Sequence, residues 1–308
     1  MNVRSLKIFC DIVSLRSFSK AANENGVSQS NASHVVHQLE ERLGVELIDR
    51  STRPFGVTLE GQRYYDGCRG IVRRYYDLEE EVRSLGKTGT TRLKVAAIFS
   101  VGFGHMNKCL EGFRQEHANV DVRMEYLHSD RVYAAVESDE ADLGIVGFPE
   151  STRKLGVIPW RDERLVLVAA PNHPLASQPS ASLKSIDGQR LITLERGLKF
   201  RDTLDKELTR RNISVEVAAE FDNIETVKRA IEAGGGIGIL PAPTISSELA
   251  AGTLAQIAIE GQPLVRPLGV IFRRDQALPE AAEQLVDHLK ACAARNGSPP
   301  QRLTTIGK

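Results

Sequence analysis

The sequence predicts an α/β protein headed by a small helical module. Three observations carry that expectation. The first sixty residues hold three short segments with helical spacing of apolar residues. Residues 64–85 repeat apolar positions four and three apart. From Arg92 onward, short runs rich in Val, Ile and Leu alternate with amphipathic stretches.

The head is read first. Leu6, Phe9, Ile12, Val13 and Leu15 outline one helix, and "SFSKAANENG" a second that starts near Ser17 or Ser19 and stops at Gly26. In "GVSQSNASHVVHQLEERLG" a third helix follows, with Ser28 as its N-cap. Its Ala32, Val35, Val36, Leu39 and Leu43 fall on one buried stripe. The opposite side carries Ser30, His34, His37 and Glu41, flanked by Gln29, Asn31, Ser33 and Gln38. Two helices separated by a tight Gly-containing turn form the helix-turn-helix arrangement, whose second helix lies in the DNA major groove. "VELIDRSTRPFGVTLEG" then reads as a two-stranded wing carrying Arg50 and Arg53, a residue type suited to phosphate and to narrow minor grooves. Against this stands the charge: residues 1–60 hold seven Lys or Arg and seven Asp or Glu, not the basic footprint of many DNA binders. Affinity would then come from local clustering, helix N-termini and two copies.

After the wing, Tyr64, Cys68, Ile71, Tyr75, Leu78, Val82 and Leu85 form a heptad seam. A 3.5-residue repeat buries its stripe against another helix, most simply a second copy of itself. Packing on the protein's own body is the alternative. "LGKTGTTR" reads as a hinge.

The remaining two thirds give "RLKVAAI", a helix from about Gly104 to Glu116, "VDVRMEYL", a helix near Arg131 to Glu137, and "ADLGIVG". A second series runs "RLITLE", a helix Phe200 to Arg211, "VEVAAEFD", a helix Ile224 to Ala233, and "GIGILP". Between them lie two crossover strands, "GVIPW" and "RLVLVAA"; "RPLGVIFRR" returns the chain, and a last helix runs from Pro279 to about Ala294. Strand-helix alternation implies two mostly parallel lobes with a cleft between them. The Gly-rich "AGGGIGILP" leaves a helix and enters a strand, the reverse of a phosphate-binding loop, and reads as a turn.

Taken together, the head closely resembles the N-terminal domain of LysR-type transcriptional regulators over about sixty residues. Ala21-Ala22 after Ser-Phe-Ser-Lys, the "VSQS" turn, "QLEERLG" and "RPFGVTLEG" carry the likeness. Asn31, His34 and Ile48 depart from that family's usual residues. The C-terminal part, above all "DNIETVKRAIEAGGGIGILP", resembles the effector-binding domain of the same regulators, with the fold of type II periplasmic binding proteins. That likeness implies a cleft lined by Ser100, Val101, Gly102, His128, Ser129, Gly147, Phe148, Thr193, Leu194, Phe221, Asp222, Ile237 and Gly238. Hydroxyls beside helix N-termini suit a small anion.

The expected organisation is a winged helix-turn-helix over residues 1–59, a dimerisation helix and hinge over 60–90, and a two-lobed effector domain over 91–295, with a disordered tail at 296–308. Lobe I takes about 91–161 and 267–295, lobe II about 162–266. Expected partners are double-stranded DNA, further copies of the chain as dimer or tetramer, a small-molecule effector and RNA polymerase; no cofactor or metal is expected.

Other function classes fare less well. His34, His37 and Glu41 could hold a metal on one helix face, but the adjoining turn and wing favour DNA reading. An enzyme would need a nucleophile with its base, and Ser100 with His105 or His128 lacks an elbow motif. The four cysteines form no CxxC, which fits reduced thiols, with a redox role for Cys109 left open. At 308 residues, 41% hydrophobic and formally neutral, with no eighteen-residue apolar run, a cytoplasmic protein of two or three domains is expected. The alternative function is a cytosolic small-molecule-binding protein without a promoter-specific role.

Overall fold

The computed structural model describes residues 2–51, 55–84, 90–102 and 106–295. Arg53, Leu85, His105 and the tail from residue 296, on which sequence expectations fall, lie outside them. The chain divides into two units, residues 1–91 with 138–140, and residues 92–137 with 141–308.

In the first unit, α1 (Val3–Leu15), α2 (Phe18–Glu24) and α3 (Gln29–Leu43) each begin at a capping side chain. Asn2 accepts from the Ser5 N–H, Ser17 from Lys20 and Ser28 from Asn31. Phe9, Ile12, Ala21, Ala22, Ala32 and Val36 fill the space between the helices. The small Ala21 and Ala22 let α2 sit close against its neighbours. Two positions assigned to buried stripes by spacing are open instead: Leu15 is 40% and Leu43 39% exposed. The wing is a short antiparallel ladder of β1 (Ile48–Asp49) and β2 (Gly56–Val57), pairing Ile48 with Val57.

The long helix α4 (Leu59–Ser84) follows. Gly61 permits its entry, because a Cβ there would lie 2.0 Å from the Leu47 carbonyl oxygen. The heptad seam divides along its length. Cys68, with Val72 outside the repeat, closes the core of the unit, and Tyr64 packs its ring 5.5 Å from Phe9, so this part of the helix covers the protein's own body. Further along, Ile71, Tyr75, Leu78 and Val82 are exposed.

The second unit contains two lobes sharing long strands. Its main sheet has the order β4 (Val120–Leu127), β3 (Thr91–Ile98), β5 (Leu143–Gly147), β12 (Val265–Arg273), β6 (Leu155–Ala169), β11 (Ala255–Ile259) and β7 (Ser180–Ala181), with β10 (Gly238–Pro241) also on β6. The two expected crossover strands are one. Along β6, residues 155–164 pair with β12 in lobe I, and residues 165–169 pair with β10 and β11 in lobe II. β3 and β5 run parallel, as do β8 (Arg190–Leu194) and β9 (Glu216–Phe221).

Lobe I is completed by α5 (Phe99–Gly102), α6 (Met106–Glu116), α7 (Ser129–Glu137) and α11 (Glu280–Arg295). Trp160 is buried among Leu268, Leu285 and Leu289 and donates its Nε1–H to the Leu289 carbonyl at 2.9 Å, which fixes α11 to β6. Lobe II adds α8 (Lys199–Arg210), α9 (Ile224–Glu232) and α10 (Ser246–Ala251) around a core that includes Leu167, Ile192, Leu204, Val227 and Ile239. The Gly-rich segment links α9 to β10; Gly236 has φ 154°, and a Cβ there would meet the Arg190 carbonyl oxygen at 2.3 Å. Among the described residues no helix is long and apolar enough to cross a membrane.

Candidate functional site

On α3 the amphipathic pattern produces an exposed polar face. Ser28, Gln29, Ser30, Asn31, Ser33, His34 and His37 are all exposed, while Ala32, Val35, Val36 and Leu39 anchor the other side. Ser28 Oγ lies 2.9 Å from Ser30 Oγ, and Ser19 Oγ donates to Gln29 Oε1 at 2.9 Å, tying the end of the face to α2. His37 Nε2 lies 3.5 Å from Glu41 on the next turn. Among the described residues no group of three or more His, Cys, Asp or Glu is placed to hold a metal.

Two anchoring residues had been missed, Ser19 and Glu40. Glu40 is 7% exposed; its Oε1 accepts from the Leu47 and Ile48 N–H groups at 2.9 and 3.1 Å, and its Oε2 from Arg50 at 3.0 Å. One carboxylate thus fastens the wing to α3. Arg50, expected on the wing for DNA, is held by it while 47% of its side chain stays exposed. An acidic residue one position past the apolar Leu39 was the available signal.

The second unit holds a solvent-connected cavity of about 650 Å³ between its lobes. From lobe I come Phe99 and Ser100 on α5, His128 and Ser129 at the start of α7, and Gly147 and Phe148 after β5. Lobe II supplies Leu194, Leu198, Lys199, Phe200, Asp222, Asn223 and Ile224 from the ends of β8 and β9 and the starts of α8 and α9. An adjoining hollow adds Glu225.

Of the residues expected there, Ser100, His128, Ser129, Gly147, Phe148, Leu194 and Asp222 line the cavity. The others lie elsewhere. Val101 is buried in the lobe I core, and Gly102 faces the Tyr126 ring. Phe221 packs on the lobe II core, Ile237 is part of it, and Gly238 lies against Ile231. Thr193 is 3% exposed, and its Oγ1 has no hydrogen-bond partner among the described residues. At the ends of β8 and β9 one residue of each neighbouring pair reaches the cleft, Leu194 rather than Thr193 and Asp222 rather than Phe221, as alternation of side chains along a strand requires.

The expected cleft residues include His128 and Asp222 but none of Arg266, Glu163, Lys199 and Glu150. Arg266, 3% exposed, donates from Nε to Glu163 at 3.0 Å, from a second nitrogen to the same carboxylate, and from Nη1 to Ser100 Oγ at 2.8 Å. Arg266 and Glu163 face each other on β12 and β6, the strands that cross between the lobes. Two contacts join the lobes: His128 Nε2 lies 4.0 Å from Asp222, and Lys199 pairs with Glu150 at 2.6 Å. The Glu150 carboxylate holds the Lys199 ammonium above its usual range. Eight apolar side chains and this small charged set suit a compact ligand with an apolar body and an anionic group. Among the described residues no cavity nucleophile is hydrogen-bonded to a base: the Ser100 hydroxyl faces Arg266, and His128 meets the Phe99 ring edge-on at 5.4 Å.

The comparisons with known proteins agree in both units. The profile described as bacterial regulatory helix-turn-helix protein, lysR family, matches residues 3–62, and that of the LysR substrate binding domain matches residues 86–294. The chain is 25% identical to the RuBisCO operon transcriptional regulator of Allochromatium vinosum over 295 residues, covering 96% of this chain and 97% of that protein. It is 26% identical to the transcriptional activator CmpR of Synechocystis sp. over 289 residues, covering 94% and 95%. Among solved structures, CbnR bound to its target DNA superposes with a TM-score of 0.76 at 20% identity, covering 95% of this chain and 100% of that one. A full-length OxyR from Pseudomonas aeruginosa gives 0.71 at 20% identity, covering 98% and 99%. With a matching family profile on each unit, the chain belongs to the LysR family of transcriptional regulators, a winged helix-turn-helix joined to a LysR substrate-binding domain.

Proposed function

We propose that the chain binds interrupted promoter dyads as a dimer or tetramer and changes DNA geometry when a small anionic effector occupies the interlobe cavity. The carrying observation is the exposed polar face of α3 from Ser28 to His37, backed by a buried apolar stripe. Side chains of this length and chemistry at a recognition-helix N-terminus reach base edges and phosphates. Arg50, next to the wing strand β1 and with 47% of its side chain exposed, extends the contact. Ile71, Tyr75, Leu78 and Val82 supply an exposed apolar stripe on α4 for a second copy, which spaces two α3 helices along one duplex. The effector acts by favouring one lobe arrangement over another. In this reading RNA polymerase is a partner, the protein is cytoplasmic, no cofactor is required and no reaction is catalysed.

The equal numbers of acidic and basic residues in the first sixty favour a second reading, a cytosolic small-molecule-binding protein without promoter-specific function. Genomic-fragment enrichment with the purified chain at about 150 mM salt separates the two, because non-specific binding is strongly weakened by salt. Recovery of an interrupted dyad is the expected result. No enriched sequence, with Arg50 and Arg53 variants behaving like the parent, would overturn the regulator reading.

A further inference from the structure

We propose that Glu150 is a built-in carboxylate competitor for the effector's anionic group, seated on Lys199 and displaced when the effector binds. The inference rests on the effector reading above and specifies how that site takes its ligand.

Lys199 stands on the first turn of α8 in lobe II and lines the cavity. Its partner comes from the other lobe: Glu150 lies in the segment between β5 and β6, where its backbone N–H donates to Tyr133 Oη of α7 at 2.8 Å. Lobe I therefore holds a carboxylate out to lobe II's ammonium, with Nζ and Oε1 2.6 Å apart.

Exposure decides which of the cavity's cations can exchange partners. Arg266 and Glu163 are 3% and 4% exposed, and removing one partner would strand a buried charge. Lys199 and Glu150 are 58% and 59% exposed, so water receives either group readily and the pair is held weakly. An incoming carboxylate can take the place of Glu150 on the Lys199 ammonium while the Glu150 carboxylate turns out into water. The start of α8 favours the same exchange, because Leu198 at the N-cap position makes no side-chain capping bond and the helix N-terminus favours an anion. Phe148 and Phe200, edge to face at 6.2 Å, line the cavity with Leu194 and offer a wall for the ligand's apolar body. Binding would thus trade an intramolecular bridge between the lobes for one made through the ligand, which gives occupancy a direct mechanical consequence.

The test uses the full chain with cyclohexanecarboxylate as probe and cyclohexanecarboxamide as its uncharged match. Titration calorimetry compares wild type, Glu150→Gln, Lys199→Gln and the double variant. Removing the competitor is expected to tighten carboxylate binding about two- to five-fold, the range of an exposed ion pair, with carboxamide binding unchanged. Lys199→Gln should weaken the carboxylate by a similar factor, and the double variant should show no gain. Equal carboxylate affinity in wild type and Glu150→Gln, an equal gain for the carboxamide, or no carboxylate binding to Glu150→Gln in the millimolar range would overturn the proposal. Promoter enrichment is run on the same preparations. If wild type enriches no DNA, the regulator reading fails; if it does while the calorimetric differences are absent, only the role of Glu150 fails.

Discussion

Replacing Glu40 with alanine is expected to loosen the wing from α3 at a cost of about 2–5 kcal/mol. The carboxylate takes two backbone donors, the N–H groups of Leu47 and Ile48, residues that are each 1% exposed. Each buried donor left unpaired costs about 1–3 kcal/mol, and alanine's better helix propensity returns only about 0.5 kcal/mol. The Arg50 arm contributes little to the total, since its side chain is 47% exposed and such pairs are worth about 0–1 kcal/mol. Arg50→Ala should therefore be nearly silent in stability while Glu40→Ala is not. Hydrogen exchange read by mass spectrometry over residues 45–58 is the direct assay, because a chain of two units has no single unfolding free energy. Protection at Leu47 and Ile48 should fall by at least tenfold in Glu40→Ala and stay near wild type in Arg50→Ala. Equal protection in all three proteins, or an Arg50→Ala loss as large as that of Glu40→Ala, would refute the account of the wing anchor.

Placing aspartate at both Ile71 and Leu78 should shift the mass in light scattering to that of one chain while far-ultraviolet circular dichroism is preserved; Cys68→Asp should instead unfold the first unit, since Cys68 is 5% exposed in its core. His34→Ala should lower promoter affinity by about 1 kcal/mol and relax base preference at one position per half-site, read by fluorescence anisotropy on operator variants. Arg266→Ala should destabilise the second unit by about 3–5 kcal/mol by stranding the Glu163 charge, seen as a lowered thermal transition, with much of the loss recovered when Glu163 is also replaced by Leu. Burial pushes the Cys10 and Cys109 thiols up to about 12, so neither should react with Ellman's reagent at about pH 8 until the protein is unfolded.

Much of the architecture was legible because each element carries its own period. The caps at Ser17 and Ser28, the stripe of Ala32, Val35, Val36 and Leu39, and the strand-helix alternation after Arg92 are local properties of the chain, and they locate the exposed face of α3. Periodicity names a buried stripe without naming what buries it. The heptad seam shows this: Cys68 meets the unit's own core, with Tyr64 partly covered by it, while Ile71, Tyr75, Leu78 and Val82 stay exposed, although all belong to one repeat. Between the two expected strands, "GVIPW" and "RLVLVAA", lie Arg161, Asp162 and Glu163, and charged residues are expensive to bury. In the fold they lie inside a single strand, with Arg161 2% and Glu163 4% exposed.

By itself the sequence determined the helical head, the long helix and the two α/β series, and its likeness to the LysR effector domain pointed to Ser100, His128, Ser129, Gly147, Phe148, Leu194 and Asp222 in the cleft. Tertiary structure alone decided the electrostatics of the cleft. Arg266 and Glu163 stand 103 residues apart, and Lys199 and Glu150 come from different lobes, so neither pairing leaves any local trace. Helical and strand periods are written over a few residues by backbone geometry; the partner of a charge is chosen only when the strands that cross between the lobes and the helices that flank them bring distant segments within hydrogen-bonding reach.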